Sequence, residues 1–102
     1  MATKKETGKI KVIIADDHPM FRRGLKHAFA ETPDIEVVDE AETGEELLEK
    51  VRGMDLNLAL LDISLPGKGG LEILKQMRED CPKLPVLILT VYPEEHYAVR
   101  FF

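Results

Sequence analysis

The sequence predicts an α/β domain built on a doubly wound parallel sheet. Short apolar runs rich in β-branched residues alternate with stretches of helical periodicity, which is the signature of βα units. Three of those runs end in polar residues that a parallel sheet would gather at one edge: Ile10–Asp17 closes on Asp16-Asp17, Leu56–Asp62 on Asp62, and Val86–Thr90 on Thr90. The carboxyl ends of the strands in an open parallel sheet line one crevice, and ligands bind there. Three carboxylates and a hydroxyl in such a crevice point to a divalent cation and a phosphoryl group.

Residues 1–9 are polar and read as a flexible N-terminal tail, with one domain over residues 10–102. Ile10, Val12, Ile13, Ile14 and Ala15 form a first strand of the kind buried on both faces. Pro19 suits the first turn of a helix, in which Phe21, Leu25, Ala28 and Phe29 repeat at i, i+4, i+7 and i+8; Thr32-Pro33-Asp34 stops it. Ile35, Val37 and Val38 with interleaved acids make a more exposed second strand. Thr43 followed by Glu46 is a capping-box pattern, Leu47, Leu48 and Val51 supply the buried face of a second helix, and Gly53 ends it. Leu56, Leu58, Ala59, Leu60 and Leu61 are as leucine-rich as a helix, but the short length before Asp62 and the turn chemistry of Pro66-Gly67 decide for a third strand. Leu71, Leu74, Met77 and Cys81 mark a third helix, stopped by Pro82 and Pro85. Val86–Leu89 is an uncharged fourth strand, expected to be covered on both faces. From Glu94 a fourth helix is expected, carrying Tyr97, Ala98, Phe101 and Phe102.

A chain of 102 residues fits one small domain, and its apolar share of 44% fills an ordinary core. Lys+Arg 14 against Asp+Glu 19 gives a formal charge of −5, which disfavours direct contact with nucleic acid or anionic lipid. The single cysteine, Cys81, excludes an internal disulfide and fits the cytoplasm. No apolar run approaches the ~20 residues that span a bilayer, and the N-terminus lacks the apolar stretch of a signal peptide.

Asp16-Asp17 alone fits a helix cap as well as a site, and Asp62 alone fits a loop acid as well. Their joint occurrence tips the balance, because neighbouring carboxylates raise one another's pKa unless a cation neutralises them. Mg²⁺ suits this set, since it binds through one or two carboxylates, keeps waters and accepts phosphate oxygens. Thr90 is the fourth corner, and Ser64, two positions beyond Asp62, could turn its backbone carbonyl to the same ion. Gly67-Lys68-Gly69-Gly70 lacks the Walker spacing, and no G-x-G-x-x-G follows the first strand. His18 reads as a polar residue at a helix entrance, His27 and His96 as surface residues.

Ala15-Asp16-Asp17-His18-Pro19, Leu61-Asp62-Ile63-Ser64-Leu65-Pro66-Gly67 and Leu89-Thr90-Val91-Tyr92 together resemble the receiver domain of bacterial two-component response regulators. The Asp-Asp-His-Pro form followed by Phe21-Arg22-Arg23-Gly24-Leu25 is similar to the LuxR-type (NarL/FixJ) subgroup, and the likeness runs from about Ile10 to Phe102. The resemblance implies a flavodoxin-like fold, here with strand order 2-1-3-4 and the family's fifth strand and helix missing. It implies a phosphorylation-dependent signalling switch in which Asp62 is the phosphoacceptor for a sensor histidine kinase and Thr90 is the switch hydroxyl. Asp16, Asp17, Asp62 and the backbone carbonyl of Ser64 would hold Mg²⁺. The implied partners are the kinase, an own or partner output domain that regulates transcription, and a second copy in a homo-oligomer.

The sequence stops before the fifth-strand lysine that pairs with the phosphoryl group in this family, and Gly69 replaces a residue that is usually polar. Phosphoryl transfer in this chain alone is therefore expected to be slow or absent. The fourth strand is expected to be an open apolar edge that promotes association. The chain is read as a phosphoacceptor rather than an enzyme acting on a separate substrate. The alternative is a receiver that no longer switches and only associates. A Mg²⁺-dependent phosphatase with an Asp nucleophile is a third reading, weakened because Ser64 stands where a general acid would be needed.

Overall fold

The computed structural model describes residues 9–62, 69–91 and 97–101, with the backbone alone for residues 90–91 and 97–101. Four parallel strands, β1 (Ile10–Ala15), β2 (Ile35–Ala41), β3 (Leu58–Asp62) and β4 (Val86–Val91), alternate with helices α1 (Pro19–Ala30), α2 (Gly44–Arg52) and α3 (Gly70–Asp80). The sheet order is β2-β1-β3-β4-β5, the last strand being Tyr97–Phe101. Its parallel part has the 2-1-3-4 order and the flavodoxin-like layout expected. Strand order reverses between β1 and β3, which places the ligand crevice outside their carboxyl ends.

β1 lies inside the sheet, between β2 and β3, and its run of Val12, Ile13, Ile14 and Ala15 has no charged residue and is buried on both faces. Ile13 and Ala15 point to one side, where Leu47, Leu48 and Val51 of α2 and Ile73, Leu74 and Met77 of α3 complete the main core. Val12 and Ile14 point to the other side, where with Leu60 they meet the half-buried Leu25 and Phe29 of α1. α1 has no fully buried residue, so this second layer is much the thinner. Gly44 opens α2 directly against α3: a Cβ there would stand 2.5 Å from Cδ1 and Cγ1 of Ile73, a separation real Cβ atoms do not show.

Local signals act as their chemistry dictates. Thr43 caps α2, its hydroxyl accepting from the Glu46 amide at 3.1 Å, while Glu46 returns to accept from the amide of Glu42 at 2.8 Å. Pro19 begins α1, where a missing N–H costs nothing. In α3 the buried positions are Gly70, Ile73, Leu74 and Met77, and Leu71 is 66% exposed. The expected apolar stripe through Leu71 is therefore corrected: the face that packs on the sheet runs through Ile73.

The helix expected from Glu94 is a second correction. Tyr97–Phe101 is β5, antiparallel to β4, with Val91 opposite Tyr97 and Leu87 opposite Phe101. The apolar β4 edge offers a row of backbone donors and acceptors, and pairing satisfies them where a helix would leave them open. The expected open edge at β4 is accordingly covered by the chain's own terminal segment.

Candidate functional site

β1 ends on Asp16 and β3 ends on Asp62, and their parallel pairing, with Ala15 opposite Leu61, brings the two carboxylates together. Asp16 is 0% exposed and Asp62 is 3% exposed, the two buried charged residues among those described. Asp17 follows on the loop with its side chain partly open. The backbone of Asp16 is held from two sides. Its amide donates to the Ala41 carbonyl at 2.9 Å, and its carbonyl accepts from Nη1 of Arg22.

Arg22 is the hub of this support. It reaches from α1 to the end of β2, donating through Nε to Glu40 Oε1 at 2.5 Å and through Nη2 to Glu42 Oε2 at 3.1 Å, with its own side chain only 12% exposed. Lys26 Nζ holds the second oxygen of Glu40 at 2.6 Å. Arg22 entered the sequence reading only as part of a family-like string, because its partners lie far away in the chain.

His18 is the residue that sequence reasoning placed differently. It stands at the N-cap of α1 but makes no side-chain cap bond. Its backbone N–H donates to Asp16 Oδ1 at 3.1 Å, and its ring folds back over the acids. Nδ1 lies 2.9 Å from Asp16 Oδ1, 3.1 Å from Asp17 Oδ1 and 3.4 Å from Asp62 Oδ2. One ligand-capable atom from each of Asp16, Asp17, His18 and Asp62 lies within 4.8 Å of all the others. The spacing i, i+2 from Asp16 was the only sequence signal for this, and it is weak.

Burial raises the Asp16 pKa above its ordinary value, and the shared hydrogen bond with Asp62 and its charge add to this, while hydrogen bonds from the His18 ring and amide oppose it. The His18 pKa is raised, chiefly by the hydrogen bond to Asp16 and then by the charges of Asp17, Asp16 and Asp62, with burial opposing. Asp16 Oδ2 and Asp17 Oδ1 are buried atoms that receive no hydrogen bond from the described residues. Three carboxylates, with Asp16 Oδ2 buried and unpartnered and Asp17 Oδ1 met only by the His18 ring, make a donor set that fits a hard divalent cation.

Thr90 lies on β4 one residue beyond Leu89, which pairs with Asp62, so its backbone stands at the same edge of the sheet. Its side chain, Ser64 and His96 lie outside the described residues. His27 is on the surface as expected, and Cys81 is half-buried at the end of α3. No helix among the described residues is long and apolar enough to cross a membrane.

Residues 12–102 match the response regulator receiver domain family. The chain is 36% identical over 91 residues to response regulator GacA of Pseudomonas syringae pv. syringae, covering 89% of this chain and 42% of that protein. It is 39% identical over 88 residues to the nitrate/nitrite response regulator protein NarL of Escherichia coli K12, covering 86% of this chain and 41% of that one. Among solved structures it resembles RcsB of Salmonella typhimurium, with a TM-score of 0.78 and 29% identity over 82% of this chain and 44% of that chain. The non-phosphorylated receiver domain of Escherichia coli RcsB superposes with a TM-score of 0.78 and 28% identity, covering 83% of this chain and 67% of that chain. The chain thus spans about two fifths of the length of the curated relatives it matches. With nearly all of its sheet inside the matched region, the chain belongs to the response regulator receiver domain family.

Proposed function

We propose that this chain is a phosphorylation-dependent signalling switch, with residues 10–102 as the receiver and residues 1–9 as a tail. The observation that carries the reading is the convergence of Asp16, Asp17 and Asp62 at the β1/β3 switch point, with buried Asp16 Oδ2 unpartnered. Crowded carboxylates of this kind are costly without a counter-charge. Asp16, Asp17, Asp62 and the Ser64 carbonyl would hold Mg²⁺, which when bound neutralises phosphoryl charge and orients the phosphate oxygens.

Asp62 is the acceptor. One of its carboxylate oxygens forms the new O–P bond as the P–N bond of a phosphohistidine on a sensor kinase breaks, and the departing imidazole nitrogen keeps the electron pair and takes up a proton. The rigid end of β3 supplies the in-line positioning on which phosphoryl transfer depends. Thr90, at the same edge, donates its hydroxyl to a phosphoryl oxygen and so ties β4 to the phosphorylated state. That contact alone is insufficient. Moving a resting equilibrium from 1:99 to 99:1 needs roughly 5.5 kcal/mol, whereas one hydrogen bond to a charged group supplies about 1.5–3.

The names of the relatives, which include a transcriptional regulatory protein and a regulator bound to promoter DNA, support a role for the whole protein in regulating transcription. On this reading the receiver controls an output domain that regulates transcription, works in the cytoplasm and associates with a second copy. It is a phosphoacceptor and does not act on a separate substrate.

Incubation of this chain, and of a version extended through the family's lysine-bearing fifth strand, with acetyl phosphate and Mg²⁺, followed by intact-mass measurement, tests this reading. One added phosphoryl group on the extended version that disappears in Asp62→Asn and without Mg²⁺, with slower or no uptake by the shorter chain, is the expected result. Its complete absence from the extended version would leave a receiver that only associates with other proteins.

A further inference from the structure

The His18 ring does not cap α1 but turns back over the acids, where Nδ1 is hydrogen-bonded to Asp16 Oδ1 at 2.9 Å. Its place is set from both sides. Pro19 restricts the preceding residue to extended backbone, and His18 has φ −106° and ψ 99°. Its amide is fixed on Asp16 Oδ1 at 3.1 Å. The ring therefore reaches the carboxylates without a long flexible stem to order.

First-row divalent cations hold imidazole nitrogen and carboxylate oxygen at about 2.0–2.2 Å. Neighbouring ligand atoms around such an ion are then roughly 2.8–3.6 Å apart, across octahedral or tetrahedral edges. Nδ1 of His18 lies 2.9, 3.1 and 3.4 Å from one oxygen each of Asp16, Asp17 and Asp62. The nitrogen thus stands at the distance of a fourth ligand vertex, not at the centre where the ion itself would sit. A second observation points the same way: Asp16 is fully buried and its Oδ2 receives no hydrogen bond.

We infer that His18 Nδ1 completes the acid cluster as a nitrogen ligand, so that the site takes imidazole-binding first-row cations such as Co²⁺ and Zn²⁺ through four side chains. The inference rests on the reading of the cluster as the cation site, and it names the class of cation that site prefers. Imidazole is a good ligand for these metals, whereas Mg²⁺ takes oxygen donors and keeps its waters. The ring's contribution is therefore selective: it strengthens Co²⁺ and Zn²⁺ and leaves Mg²⁺ nearly indifferent. The His18 side chain is 60% exposed, so its replacement leaves the core untouched.

The test is calorimetric titration of the wild type, His18→Ala, His18→Gln and Asp17→Asn with Co²⁺ and with Mg²⁺, with circular dichroism to verify the fold of each variant. Both His18 variants should weaken Co²⁺ by about tenfold or more and Mg²⁺ by less than about twofold. Asp17→Asn should weaken both. In the wild type, Zn²⁺ should shift the ¹⁵N resonance of His18 Nδ1 more than that of Nε2. Equal losses for the two cations in His18→Ala, or no loss of Co²⁺, would overturn the inference and leave the cation site standing. Failure of the wild type to bind either cation would overturn the cation site itself, and the inference with it.

Discussion

Replacing Arg22 by Met tests the support beneath the acid cluster. The thioether keeps much of the aliphatic stem's packing while removing every hydrogen bond that the guanidinium donates. Glu42 is mostly exposed, so its ion pair contributes only ~0–1 kcal/mol. Glu40 keeps Lys26 as a partner at 2.6 Å but loses the Nε bond at 2.5 Å. The Asp16 carbonyl loses its donor beside a buried carboxylate. With a charge-assisted hydrogen bond worth ~1.5–3 kcal/mol before solvent screening is discounted, the combined loss is about 2–4 kcal/mol. For a domain of this size the urea slope is ~1–2 kcal/mol/M, so the unfolding midpoint should fall by roughly 1–4 M. Arg22→Lys keeps the charge without the fork and should lose about half as much. Amide exchange at Asp16, whose N–H donates to the Ala41 carbonyl, should accelerate in Arg22→Met under native conditions. Stability within ~0.5 kcal/mol of wild type, with unchanged exchange at Asp16, would refute the hub role assigned to Arg22.

In the absence of added cation, Asp16→Asn should stabilise the protein by about 1–2 kcal/mol, because it removes a buried charge crowded by Asp62, and should abolish cation binding; urea unfolding beside Mg²⁺ titration checks both. Thr43→Ala deletes the cap of α2 and should cost about 1 kcal/mol in the same unfolding assay. The pKa of Glu40 is lowered by the Lys26 hydrogen bond and then by Arg22, and that of Asp39 by the Glu40 amide and then by Lys50. Because both folded values lie below the unfolded ones, their stabilisation is present above the ordinary carboxylate range and is lost as pH falls through the folded values. Glu40→Gln should flatten the acid limb of a stability–pH curve; an unchanged limb would contradict the pairing.

Much of the fold was legible because local chemistry and burial agree. The apolar run of β1, the Thr43–Glu46 cap and Pro19 at the start of α1 each act where their residue types dictate. The segment 97–101 misled for a physical reason. Tyr97, Ala98 and Phe101 satisfy helical spacing, yet five residues are too few for periodicity to separate helix from strand, and the free edge of β4 decided the outcome. Leu71 misled in a similar way, since Leu and Ile read alike in a short stripe and the sheet chose Ile73. The convergence of Asp16, Asp17 and Asp62 was readable because parallel topology carries strand ends to one place. His18 and Arg22 were not readable, because their roles arise from a ring folded back across a turn and from acids on another strand.

The central claim is that Asp62 is the phosphoryl acceptor within the acid cluster, and borohydride trapping tests it most directly. Reduction of an aspartyl phosphate leaves homoserine at the modified position, so the protein extended through the family's lysine-bearing fifth strand is treated with acetyl phosphate and Mg²⁺, reduced, digested and sequenced by mass spectrometry. The account predicts homoserine at position 62 alone, and none when Mg²⁺ is withheld or when Asp17→Asn removes a ligand. Homoserine at position 16 or 17, or unmodified Asp62 in a sample that carries phosphate elsewhere, would contradict it.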